Sequence, residues 1–195
     1  MALVKQGFWA DPSLEPKRAY RWLVSIRGES DPIPDYIVKS ITKPSFSISE
    51  TSHRFLNHTF YYPGRLEWQT VDMTIVDIVN PDSAEILMKI IRDAGYYAPA
   101  NQETAGVSMA KSNAIRQLGT VRIKQLLADN TPTAVPGTAE EWVLNNAWIK
   151  DVRFGELSYD SEEMSQISLT LRYDYAILEG YGGKSRGSGA GIPVA

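Results

Sequence analysis

The chain has 195 residues, 43% of them hydrophobic and 22% charged, and its 20 basic and 23 acidic side chains leave a formal charge of −3. This suits one folded domain with extensions and offers no basic excess to grip a phosphate backbone, so sequence-specific nucleic-acid binding is not expected. Cysteine is absent, which excludes disulfides, thiolate metal centres and cysteine nucleophiles.

No leader-like stretch opens the chain, and no run approaches the ~20 apolar residues that span a bilayer. A protein made in a cytosol-like compartment, without a membrane partner, is therefore expected. Residues 1–19 lack periodicity and contain Pro12 and Pro16, so they read as an arm. Phe8 and Trp9 in that arm need a surface to land on, in this copy or a neighbour. Alternation begins at Tyr20, with Trp22, Val24 and Ile26 on one face, which is the period of a strand. Residues 36–43 give a second strand, stopped at Pro44. Two extended arms around a polar stretch, residues 50–58, then predict a long hairpin, and Pro63-Gly64 reads as a turn.

Residues 66–79 read as one long strand whose phase slips near Thr70, the sign of a bulge. A helix follows, with Asn80 as N-cap, Pro81 at its first position and Ala84, Leu87, Met88, Ile91 and Ala94 at helical spacing up to Gly95. Residues 111–118 are compatible with a short helix or a turn. Strands return at 120–127, at Trp142 and Leu144, and at 148–154, separated by a proline-bearing loop over 129–137. Residues 166–178 form the cleanest strand, with Ile167, Leu169, Leu171, Tyr173, Tyr175 and Ile177 on one face and Ser168, Thr170, Arg172 and Asp174 on the other. The tail beyond is Gly/Ser-rich and too poor in apolar surface to fold alone. The expected fold class is mainly β, a sandwich or barrel of about eight strands with one flanking helix. Its expected division is an arm (1–19), a β domain (20–178) and a flexible tail (179–195).

Catalytic and cofactor chemistry finds little purchase. His53 and His58 lie five apart, a spacing that suits neither one helix face nor adjacent strand positions for a metal, and they read as exposed or interface side chains. Gly183-Lys184-Ser185 imitates the end of a phosphate-binding loop but lacks both the upstream glycine and the following helix. Glu140-Glu141 and Glu162-Glu163 flank predicted turns, where solvated charge is the default. No serine nucleophile stands in a recognisable order with His and Asp. Trp22 and Trp68 fall on strand faces among aliphatic residues and read as core. No enzyme activity, metal or cofactor is expected.

A small β domain carrying a long hairpin, an aromatic-bearing arm and strand edges is an aggregation hazard unless another copy covers them. Self-assembly is expected. Three blocks carry a more specific signal: Tyr62-Pro63-Gly64-Arg65-Leu66-Glu67-Trp68, the strand-to-helix passage from Val71 to Ile91, and Gly155-Glu156-Leu157-Ser158-Tyr159-Asp160-Ser161-Glu162 running into Ile167-Ser168-Leu169-Thr170-Leu171-Arg172-Tyr173-Asp174-Tyr175. In this order the chain resembles the tail tube proteins of contractile-tailed, myovirus-type bacteriophages over roughly residues 20–177.

The resemblance implies a tail-tube-like fold whose subunits form homohexameric rings stacked into a tube. It implies a virion location after assembly in the host cytoplasm, with sheath, tape-measure, baseplate and terminator proteins as partners. DNA would pass through the lumen non-specifically during ejection. Carried onto this sequence, the inter-ring contacts are expected at Phe8, Trp9, His53, Arg54, Phe55, Leu56, Asn57, His58, Phe60 and Tyr62. A lumen or subunit seam is expected at Ser168, Thr170, Arg172 and Asp174. Two alternatives stand beside this: a tail completion, baseplate or secretion-system tube ring of the same fold, and a monomeric ligand-binding β domain.

Overall fold

Strict alternation of apolar and polar side chains places Val24 and Ile26 inward on β1 (Trp22–Arg27), and the same period recurs along most of the chain. The computed structural model describes residues 16–29, 33–98, 108–127 and 137–179. After β1 come β2 (Val38–Ile41), β3 (Phe46–Phe55), β4 (His58–Trp68) and β5 (Val71–Val76). Helices α1 (Ser83–Asp93) and α2 (Lys111–Leu118) follow. The remaining strands are β6 (Thr120–Leu126), β7 (Thr138–Asn145), β8 (Trp148–Arg153), β9 (Gln166–Arg172) and β10 (Tyr175–Glu179).

All pairings among the described residues are antiparallel. One sheet runs β1-β6-β7-β10, a second runs β2-β5-β9-β8, and β3-β4 form a separate two-stranded ribbon. Inward residues of both four-stranded sheets merge in one core, with Met73, Ile75, Ile167, Leu169 and Leu171 from one and Val24, Val121, Ile123 and Leu144 from the other. Leu87 and Ile90 of α1 and Leu118 of α2 add to it, and Trp22, Trp68 and Trp142 pack on its margin. This is a sandwich, as its mainly β composition anticipates.

The sequence predicts about eight strands and one helix; the structure has ten strands and two helices among the described residues. Two stretches that read as single strands each break. At Gln69-Thr70 the phase slip is a corner, not a bulge: β4 ends and β5 joins the second sheet. The ladder is carried around that corner by Gln69 N–H to the Ser45 carbonyl at 2.8 Å and Thr42 N–H to the Asp72 carbonyl at 2.9 Å. At Tyr173-Asp174 the chain leaves the second sheet for the first. Tyr173 stays in the core, but the parity then reverses, so Ala176 is buried while Tyr175 and Ile177 turn outward.

The helix cap also moves. Asp82, not Asn80, is the N-cap of α1, its carboxylate accepting from Ala84 N at 2.9 Å and Glu85 N at 3.1 Å. The buried face is Ser83, Ile86, Leu87, Ile90 and Ala94, and Met88 is exposed. The Ser83 hydroxyl explains the rotation: it accepts from Ile78 N at 3.1 Å, tying the first turn down against the chain leaving β5.

Gly119 ends α2 at φ 76°, and a Cβ there would strike the Arg27 carbonyl. Gly119→Ala combines left-handed backbone strain with a backbone clash. It is expected to lower stability by about 2 kcal/mol or more in urea denaturation.

Candidate functional site

The β3-β4 ribbon is the conspicuous surface, since every residue from Phe46 to Glu67 within its strands is exposed. Its ladder runs from Phe46↔Trp68 to Phe55↔His58, leaving only Leu56 and Asn57 at the tip. The polar tip expected over residues 50–58 is therefore mostly strand. Pro63-Gly64 is likewise not a turn: it lies inside β4, where the register shifts between Ile48 and Glu50. A proline lacks the N–H that a regular ladder position needs and is tolerated at such a bulge. The Ser49 hydroxyl fills the gap by accepting from Arg65 N at 2.9 Å.

The bulge divides the ribbon into two halves with opposite apolar faces. Near the body, Phe46, Ile48, Leu66 and Trp68 share one face. Beyond the bulge that face carries Glu50, Ser52, Arg54, Thr59 and Tyr61, and the opposite face carries His53, Phe55, His58, Phe60 and Tyr62. Opposed residues of an antiparallel pair lie on the same side, so these side chains form continuous strips. At the tip Leu56 is 86% exposed with φ 53°, doubly unfavourable for a leucine. The expected inter-ring residues on the hairpin thus fall into an aromatic-histidine face (His53, Phe55, His58, Phe60, Tyr62), a tip (Leu56, Asn57) and Arg54 on the reverse. Phe8 and Trp9 lie outside the described residues, as do Gly183-Lys184-Ser185 and the Gly-rich tail.

The root of the ribbon is fixed on both strands. On β4, Trp68 meets Phe46 edge-on at 5.3 Å between ring centroids and Tyr173 at 5.9 Å, while Arg172 Nη1 donates to the Trp68 carbonyl at 2.9 Å. Burial pushes the Tyr173 phenol up. On the β2-β3 side, Lys43 Nζ reaches Glu140 Oε1 and Gln125 Oε1, each at 2.5 Å. Glu140 also receives Lys17 Nζ and, at 2.8 Å, Trp142 Nε1. Gln125 Nε2 donates to the Arg18 carbonyl at 3.2 Å. These groups border a cleft of about 430 Å³ with Ala19, Trp22, Ile41 and Ile123.

Burial alone would raise the Glu140 carboxyl, but hydrogen bonds from Lys17, Lys43 and Trp142 outweigh it and hold the pKa at about 2, against an ordinary 4.5. A depressed folded-state pKa contributes stability that is present above the unfolded value and lost as pH falls through the folded one. The stability difference between wild type and Glu140→Gln is therefore expected to shrink from pH 5 to pH 2. With both lysines half exposed, the change is on the order of 2 kcal/mol, readable by urea denaturation at each pH.

The four residues expected at a lumen or seam do not form one surface. Ser168 and Thr170 face outward from β9 in two cross-strand rows, Ser40-Thr74-Ser168-Arg153 and Asp72-Thr170-Asp151. Thr170 Oγ1 donates to Asp72 Oδ1 at 2.8 Å. Arg172 is engaged at the ribbon root. Asp174 lies at the corner after β9, where Lys111 Nζ at 2.7 Å and Asn146 Nδ2 at 2.8 Å bind its carboxylate, and the Lys111 hydrogen bond is the chief cause of its lowered pKa.

Sequence reasoning misses the near-body apolar patch of Phe46, Ile48 and Leu66, although Leu66 and Trp68 share a parity that could have pointed to it. It also misses the exposed Leu157, Tyr159 and Met164 between β8 and β9. His53 and His58 share a ribbon face, but among the described residues no three His, Cys, Asp or Glu side chains are grouped to hold a metal ion.

The sequence matches no protein-family model and no curated protein. Solved structures do match. A chain of the sheath-tube complex of PVC, an extracellular contractile injection system, in its extended state aligns with TM-score 0.60 at 16% identity, covering 90% of this chain and 99% of the other. The chain has a tail-tube-like fold. A chain from the tube-terminating cap of the anti-feeding prophage gives 0.61 at 15% identity over 92% of this chain and 99% of its own. One from that particle's sixfold-symmetrised baseplate gives 0.59 at 15% identity, over 86% and 97%. The fold therefore recurs in different parts of contractile injection particles, with full-length coverage of each match.

Proposed function

We propose that this protein is a structural subunit of a contractile-tail tube, non-catalytic, forming homohexameric rings that stack into a hollow tube. The observation that carries the reading is the β3-β4 ribbon, exposed from Phe46 to Glu67, aromatic on its outer half and tipped by a left-handed Leu56, on a tail-tube-like body. A solvated monomer gains nothing from that strip, whereas a second ring that buries it recovers about 25 cal/mol per Å² of apolar surface. His53, Phe55, Leu56, Asn57, His58, Phe60 and Tyr62 contact the next ring, Arg54 supports them from the reverse face, and Phe8 and Trp9 contribute from the arm. Within a ring, strand edges make heterologous contacts that close by rotation.

The outward face of β9 supplies the lumen. Ser168 and Thr170, flanked by Asp72 and by the ion pair of Asp151 with Arg153, give a hydroxyl-rich strip with no basic excess, which does not grip phosphate and lets DNA slide. Arg172 and Asp174 act at the edge of that surface as structural links. In this reading the particle is a bacteriophage virion built in the host cytoplasm, with sheath, tape-measure, baseplate and terminator proteins as partners and DNA ejection as the use of the channel.

A second reading has a specific observation behind it. The cap and baseplate chains align about as well as the sheath-tube one, so a terminating or initiating ring of the same fold fits equally. Negative-stain electron microscopy of the purified protein separates these. Long uniform tubes are expected for the main tube subunit, and single or paired rings for a terminator. A strictly monomeric protein at high concentration would sink both.

A further inference from the structure

Glu140 joins three separate parts of the molecule. It projects from β7 between the two sheets, on the inward side shared with Trp142 and Leu144, with a side chain only 12% exposed. A carboxylate in that position needs partners to offset desolvation. Those partners are Lys17, at the start of the described chain, and Lys43, which immediately precedes Pro44 and the β3-β4 ribbon. Trp142 Nε1 and the cross-strand neighbour Gln125 complete the cluster, and Gln125 in turn holds both Lys43 and the Arg18 carbonyl.

We infer that Glu140 is a positioning residue for assembly, a clasp that sets the ribbon and residues 16–21 at one fixed angle to the body so that both meet a neighbouring copy together. This rests on the tube reading above. The physical case is that a two-stranded ribbon standing clear of the sheets has no packing of its own to fix its direction. The corner hydrogen bonds from Gln69 N–H to Ser45 and Thr42 N–H to Asp72, the Arg172–Trp68 hydrogen bond and the aromatic contacts all hold its root to the second sheet. Attachment along one sheet leaves the ribbon free to tilt about that line. Lys43–Glu140 ties the root to the first sheet as well, and Lys17 brings residues 16–21 into the same frame. Stacking many rings multiplies any angular error, so a subunit without the cross-sheet tie keeps its fold and loses its register.

The test compares the subunit concentration at which tubes or stacked rings appear, by sedimentation and negative-stain microscopy, at a temperature where every variant is more than about nine-tenths folded. Glu140→Gln keeps the shape and removes the charge, and is expected to raise the threshold at least tenfold. Lys43→Met should do the same, and the double variant should be little worse than either single one, because the two residues act as a unit. Glu140→Asp should recover part of the loss. Gly119→Ala, which lowers stability far from the clasp, should leave the threshold unchanged. An unaltered threshold for Glu140→Gln beside an assembling wild type overturns the clasp alone, and so does a loss shared equally by Gly119→Ala. A wild type that never assembles overturns the tube reading and this inference with it.

Discussion

Excising residues 52–61 and closing Thr51 to Tyr62 with an Asn-Gly turn is expected to leave a folded subunit that no longer builds tubes. Thr51 and Tyr62 are opposed across the ladder, two pairs in from His53↔Phe60 and four from the native closing pair, Phe55↔His58, so a two-residue turn of that type closes the shortened ribbon and leaves Pro63, the bulge and the root in place. None of the removed side chains belongs to the core, and all are exposed. The thermal midpoint should therefore shift by no more than a few degrees. Assembly should respond very differently, because the excision takes away Phe55, Leu56, Phe60 and Tyr61 at once. Burying even a few such aromatic side chains is worth several kcal/mol per subunit contact at ~25 cal/mol per Å², and a ring interface repeats that contact around its circumference. Tube length in micrographs should collapse to rings or smaller species. Long tubes from the excised protein would mean that stacking uses another surface, and the exposed Leu157, Tyr159 and Met164 between β8 and β9 would be the next to change.

Much of this surface was legible in the sequence, and the failures share a cause. The ribbon itself follows from alternation on both sides of a polar stretch. Its true tip does not, because Leu56 and Asn57 carry no glycine and the leucine adopts a conformation that side chains rarely accept. Pro63-Gly64 has turn chemistry but serves a bulge, and only the pairing partner, Ser49, distinguishes the two. Corners are the harder case. At Gln69-Thr70 and at Tyr173-Asp174 the chain passes from one sheet to another without a proline or glycine to mark it, so period-two counting runs straight through. Glu140 was equally hidden. Beside Glu141 it reads as half of a solvated acidic pair, and only the distant Lys17 and Lys43 make it a buried junction. The single residues that matter most to the proposed assembly are thus set by contacts across tens to more than a hundred positions, which no local pattern contains.

The corner after β9 gives the sharpest stability test, because continuous and broken strands make opposite demands on Tyr175 and Ala176, with Leu171 buried in both. Leu171 is fully buried on a strand that pairs on both sides, with Val71 of β5 and Ile149 of β8 opposite it. Truncating it removes the transfer free energy of the lost methyl groups and opens a cavity that a sandwich core cannot close. Leu171→Ala is expected to cost about 2–5 kcal/mol in chemical denaturation. Had residues 166–178 formed one strand, Tyr175 would lie on the same core stripe and Tyr175→Ala would cost as much, about 3–5 kcal/mol by the usual aromatic truncation. With the parity reversed, Tyr175 sits outward on an edge strand, more than a third exposed, and its loss should cost under about 1 kcal/mol. The buried neighbour, Ala176, should instead be the sensitive position. Ala176→Asp would drive a charge between the sheets beside Leu144 and is expected to unfold the subunit, while Tyr175→Asp is tolerated. A Tyr175 edge that can accept charge in the isolated subunit yet blocks ring formation would also locate β10 in the seam between neighbouring copies.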